Sequence, residues 1–235
     1  MSDAPVGDSL QRARQRLTKA LESAGRPPDD ARLLAVSKTK PAALIRQAYA
    51  WGQREFGENY LQEALDKQTE LSDLRDIVWH FIGPLQSNKT RAVAEHFAWV
   101  HSVDRAKVAR RLAEQRPASL GPLNICLQVN VSAESSKAGV APEALDALAD
   151  EVAALSNLRL RGLMAIPALA IGLETQREPL ARLRQLQEGL KRRLPQAPLD
   201  TLSMGMSDDL EAAVLEGATL VRLGTAIFGA RGPHR

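Results

Sequence analysis

The chain has 235 residues, 44% hydrophobic and 25% charged, which suits one large globular domain or two small ones with a substantial core and argues against disorder. The net charge of +3 comes from basic residues interleaved with acidic ones, and with only 4% aromatic residues a base-stacking nucleic-acid platform is not expected. The single Cys126 excludes an intramolecular disulfide, the scattered His80, His96, His101 and His234 offer no metal-ligand spacing, and no apolar run is long enough for a signal segment or membrane span, so a cytoplasmic address without metal or membrane is expected.

An N-terminal helix is predicted from about Asp8 to Ala24, with Leu10, Leu17 and Leu21 on one stripe. Short apolar runs then alternate with amphipathic segments. The runs are residues 31 to 38, 55 to 59, 78 to 83, 99 to 103, 124 to 130, 158 to 166, 201 to 207 and 220 to 229. Eight strands separated by helices predict a single (β/α)₈ TIM barrel over 31–230, preceded by a helix and lead-in over 1–30, the whole of 1–235 forming one domain. An open doubly wound sheet would want a glycine-rich loop after the first strand, and AVSKTKP has no glycine. Helix starts are marked by Pro41 just inside the second helix, by Pro142-Glu143, and by Ser207-Asp208-Asp209 at the last helix. Residues 167–178 read as a flexible loop on the rim. Cys126, within NICLQVN, reads as core.

In the first strand Leu34, Val36 and Lys38 share a parity, so burial of the two aliphatics in the barrel points Lys38 the same way at the C-terminal end, where barrel active sites sit. Desolvation there disfavours the ammonium and makes the neutral amine accessible for imine formation. Taken from this strand alone, a surface lysine closing a strand is the more ordinary reading. The eighth strand shifts the balance, because Leu220, Arg222 and Gly224 share a parity and put a guanidinium inside an apolar run. Its partner is either a ligand atom that accepts a hydrogen bond, such as a pyridine nitrogen, or an internal carboxylate such as Glu58.

Anion sites in such barrels are commonly built from the last two strand-to-helix loops, here Ser203 to Ser207 and Gly224-Thr225. Gly224 would let backbone amides approach an anion, with hydroxyls from Ser207 and Thr225. Ser207 also reads as the N-cap of the last helix, and Asp208 and Asp209 would repel an anion placed directly on that terminus. Asn59 and His80 can reach toward the mouth, Asn59 reading equally as an N-cap and His80 as a satisfied core imidazole. Met164 and Met204 read as core filler.

These segments together, AVSKTKP, FGENYLQE, WHFIGPLQSNK, HSVD, GLMAI and SMGMSDDLEAAVLEGATLVRLGTAIFG, resemble the pyridoxal phosphate homeostasis proteins, a single-domain group similar to the N-terminal barrel of alanine racemase; the match runs from about residue 31 to 230. The resemblance implies pyridoxal 5′-phosphate (PLP) as cofactor, Lys38 as its Schiff-base lysine, Arg222 facing the pyridine nitrogen, and Ser207, Gly224 and Thr225 on the phosphate. Asn59 would lie in the pocket wall. It further implies a monomeric carrier that buffers PLP and delivers it to PLP-dependent apoenzymes, without catalysis of its own.

Two other functions compete. A PLP-dependent racemase needs a base on each face of the cofactor, and no second domain beyond the barrel is expected to supply one. A PLP-free aldolase using Lys38 has no need of Arg222. Lys89, Lys107 and Lys137 are further lysines that could hold PLP in transit, surface solvation being the ordinary reading.

Overall fold

The computed structural model describes residues 5–132, 134 and 138–230. Helix α1 (Val6–Ser23) buries Leu10, Leu17 and Leu21, the stripe read from sequence, and packs mainly against the last two helices. The chain then runs β1 (Arg32–Val36), α2 (Ala42–Ala50), β2 (Glu55–Glu58), α3 (Leu61–Glu70), β3 (Val78–Phe81), α4 (Thr90–His96), β4 (Trp99–Val103), α5 (Ala106–Gln115), β5 (Leu123–Gln128) and α6 (Leu145–Ala153). It ends with β6 (Leu158–Met164), α7 (Leu173–Arg193), β7 (Thr201–Ser203), α8 (Leu210–Leu215), β8 (Leu220–Leu223) and α9 (Thr225–Phe228). Strands β1 to β8 pair in parallel in sequential order, and β8 pairs with β1 to close the barrel.

Strand alternation sorts the core into two compartments. Leu33, Ala35, Phe56, Phe81, Val100, Ile125 and Leu163 face the helices in one continuous cluster. Inside the barrel, Leu34, Val36, Ile82 and Leu220 form a small apolar cluster, and Trp99, Cys126 and Met164 a second. Between them lie the buried polar side chains His80, His101, Ser203 and Arg222. Cys126 and Met164 are therefore barrel core, whereas Met204 is buried in the outer layer.

Several boundaries differ from the sequence expectation. The final apolar run is a four-residue strand followed by a helical turn, because Gly224 breaks the extended backbone and Thr225–Phe228 coil against α1. Residues 173–178 are the first turns of the 21-residue α7, so the loop after β6 is shorter than expected. Pro41 stands at the N-cap of α2, one residue outside it. Ser207 is not the cap of α8, whose N-cap is Asp209, and Asn59 is not the cap of α3, whose N-cap is Tyr60. The Ser207-Asp208-Asp209 run tightens instead through Asp209, whose Oδ1 accepts the Met206 N–H at 2.7 Å.

Candidate functional site

The C-terminal mouth of the barrel gathers the ends of β1, β2, β7 and β8. Lys38, half-buried, follows β1 two residues after the inward-facing Val36. The β1–β8 register sets Leu34 beside Arg222, and Gly224 lies against Val36, where a Cβ would stand 3.2 Å from the Val36 carbonyl oxygen. Any larger residue would push these two strand ends apart, so glycine here sets how closely the Thr225 turn sits beside the segment leading to Lys38. Thr225 is exposed at the start of α9, and the first amides of that turn have no acceptor within the helix. Gly205 holds a φ of +99°, turning the chain out of β7 toward Ser207, and its carbonyl accepts the Arg222 N–H at 2.9 Å. Asn59, just past β2, is half-buried with its Oδ1 shielded from solvent and lacking a hydrogen-bond partner among the described residues. An orphaned acceptor of this kind at a barrel mouth is a place for a ligand donor or an ordered water.

Arg222 is 5% exposed. Its Nη1 donates to Ser203 Oγ at 2.7 Å and its Nη2 to the Ala165 carbonyl at 2.9 Å. Among the described residues no carboxylate pairs with it, and burial lowers its pKa to about 10, opposed by the charge of Asp209. Glu58, the internal carboxylate considered for it, points the other way. It sits on the helix side of β2, where Lys67 Nζ donates to its Oε1 at 2.7 Å and Ser37 Oγ donates at 2.8 Å. Arg222 is thus a buried cation held by neutral acceptors, a costly arrangement that a bound ligand acceptor would improve.

Reasoning from sequence named His80 and Ser203 but missed the parts of His101 and Glu55 and the chain that joins all four behind Arg222. His101 Nδ1 lies 2.7 Å from Ser203 Oγ, His101 Nε2 lies 2.9 Å from His80 Nδ1, and His80 Nε2 lies 3.2 Å from Glu55 Oε1. His80 is therefore fully buried below the mouth, stacked on Trp99 with ring centroids 5.2 Å apart, and is a satisfied core imidazole. Desolvation pushes both histidines below their ordinary range, that of His101 strongly, with the neighbouring His80 and Arg222 adding to the effect at His101 and Arg32 at both, and only His80 receiving opposing help from Glu55. Burial alone would raise Glu55, but the hydrogen bonds from His80 and Arg32 and the Arg32 charge outweigh it and bring the carboxyl to about 2. Of the other lysines considered, Lys89 and Lys107 are exposed, on the turn before α4 and at the start of α5, and Lys137 falls outside the described residues.

A pH dependence follows from these shifts. A histidine whose folded pKa lies below 6.5 binds fewer protons folded than unfolded, so stability is lost as pH falls from about 6.5 toward the folded value. Each imidazole that stays neutral in the fold contributes up to about 1.4 kcal/mol of loss per pH unit in that window. Glu55, with its folded pKa depressed, adds a further loss between about 4.3 and 2. Urea denaturation at pH 7.5, 6 and 5 should show a steepening decline that is reduced in His101→Phe; a flat profile above pH 5 would contradict neutral buried imidazoles.

Comparisons with known proteins place this architecture. The family model described as "Alanine racemase, N-terminal domain" matches residues 9–232. The pyridoxal phosphate homeostasis protein of Pseudomonas aeruginosa is 62% identical over 226 residues, covering 96% of each chain. The chain belongs to the pyridoxal phosphate homeostasis protein family. Among solved structures, PipY of Synechococcus elongatus without PLP superposes with a TM-score of 0.86 at 43% identity, over 95% of this chain and all of PipY. PipY with PLP bound gives 0.81 at the same 43% identity, over 91% of this chain. Membership of the pyridoxal phosphate homeostasis protein family agrees with the closed barrel, and among the described residues no helix is long and apolar enough to cross a membrane.

Proposed function

We propose that this protein binds PLP at the barrel mouth, holds it as a Schiff base on Lys38, and acts in PLP homeostasis by buffering the cofactor and passing it to PLP-dependent apoenzymes. The observation that carries the reading is Arg222, a buried guanidinium with neutral protein partners only, beside the strand end that bears Lys38. A pyridine nitrogen supplies the missing acceptor. Ser207, Gly224 and Thr225 would take the phosphate through hydroxyls and backbone amides, and Asn59 would close the pocket wall with its unpartnered Oδ1. These are residues that fit the cofactor by donor type and by the narrow approach at Gly224.

Bound PLP would supply an aldehyde for condensation with the Lys38 amine, with loss of one water. The neighbouring residues bind and orient. A guanidinium against the ring nitrogen keeps that nitrogen unprotonated, which weakens the ring as an electron sink and suits a carrier better than an enzyme that builds carbanions. His80 is sealed in the barrel and cannot serve as a second base, while Tyr60 is half-exposed at the start of α3. The test is to supply PLP to the purified protein, bleach the visible band with borohydride, and map the adduct, expected on Lys38. The same holo-protein incubated with L-alanine in D₂O should show no catalytic Cα exchange. An adduct on another lysine would remove the Lys38 assignment, and exchange that vanishes in Lys38→Ala would replace the carrier with a racemase.

A further inference from the structure

The barrel interior holds an unbroken line of hydrogen bonds from Arg222 to Glu55, and its two ends fix its direction. A guanidinium only donates, so Ser203 Oγ accepts from Arg222 Nη1 at 2.7 Å and turns its own proton toward His101 Nδ1, also at 2.7 Å. His101 then carries its proton on Nε2 and donates to His80 Nδ1 at 2.9 Å. His80 in turn donates from Nε2 to the Glu55 carboxylate at 3.2 Å, which only accepts. Arg32 anchors that far end, its Nε donating to Glu55 Oε2 at 2.8 Å near the N-terminal rim of the barrel.

We propose that Ser203 and His101, backed by His80 and Glu55, are positioning residues that hold the Arg222 guanidinium aimed at the cofactor's ring nitrogen while leaving its positive charge undivided. The inference rests on the reading that Arg222 faces that nitrogen. A carboxylate in direct contact would hold the guanidinium as firmly but would neutralise it, making it a weaker donor to a neutral pyridine. Here the balancing anion is three side chains away, and the intervening groups are neutral. Their neutrality is enforced by burial, since all three are essentially without solvent exposure. Ser203 and the Ala165 carbonyl each take one N–H, on Nη1 and Nη2, which fixes the plane of the guanidinium and leaves its other N–H groups to meet a ligand acceptor.

The test compares PLP with its 1-deaza analogue, in which the ring nitrogen is replaced by C–H. The unaltered protein should prefer PLP by about ten- to hundred-fold in equilibrium binding, the range of one hydrogen bond to a charged group. Ser203→Ala and, as a second excision that keeps ring volume, His101→Phe should each lower PLP affinity by roughly ten-fold and change the analogue by less than about two-fold, collapsing the preference. A merely structural role would weaken both ligands in parallel. A preference that stays intact in both variants, or a parallel loss, overturns the relay while leaving Arg222 in place. No preference in the unaltered protein removes the Arg222 contact itself, and the relay with it.

Discussion

Lys38→Ala is expected to lose the visible PLP band entirely and to release the cofactor on desalting. With the covalent link gone, retention falls to the Arg222 and phosphate contacts, roughly 1.5–3 kcal/mol each, which together hold PLP only around the millimolar range. The loss should exceed that of any other single substitution at the mouth, because every other proposed residue contributes one non-covalent contact. Lys38 lies beyond β1, outside the barrel's hydrogen-bonded ladder, so far-ultraviolet circular dichroism should be unchanged. Equilibrium dialysis with PLP checks the prediction; tight retention by Lys38→Ala would move the linkage to another lysine.

The second large effect is on stability, at the pair beneath the lysine. Lys67, 4% exposed, donates from Nζ to Glu58 Oε1 and to the Ser37 carbonyl, each at 2.7 Å, and also contacts Glu63 at 2.6 Å. Glu58 is completely buried, and desolvation raises its pKa even with Lys67 and Ser37 pulling it down. Lys67→Met removes the compensating charge and should cost about 3–5 kcal/mol at neutral pH. The pH signature separates this cause from simple repacking. A carboxyl whose folded pKa is raised further binds more protons folded than unfolded between about 4.3 and that higher value, so the variant regains stability relative to the unaltered protein as pH falls from 7 to 5. Denaturation midpoints at the two pH values decide it; a cost below about 1 kcal/mol, or a gap that does not narrow, would contradict the account. Since Ser37 immediately precedes Lys38, and Ser37 Oγ also donates to Glu58, the same pair steadies the strand ends from which Lys38 and Asn59 emerge.

The chain's own pattern determined the barrel and the inward set of its first and last strands. Period-two alternation depends only on backbone geometry, so the shared parity of Leu34, Val36 and Lys38, and of Leu220, Arg222 and Gly224, is readable without knowing any neighbour. Short strands limit that logic. EFGEN is too brief to show which parity is buried inside, so Glu58 stood as a partner for Arg222 until the closed barrel turned it toward α3. Local cap signals are likewise degenerate: Ser207, Asp208 and Asp209 are all good caps, and only the packed helix selects Asp209. The run ending in AIFG carries no period that separates a strand from a helical turn, and packing against α1 decides it. The tertiary structure alone decided the relay behind Arg222, because His101 and Ser203 are 102 residues apart and meet only when inward positions of β4 and β7 face each other across a closed barrel, where burial drives polar side chains to pair with one another.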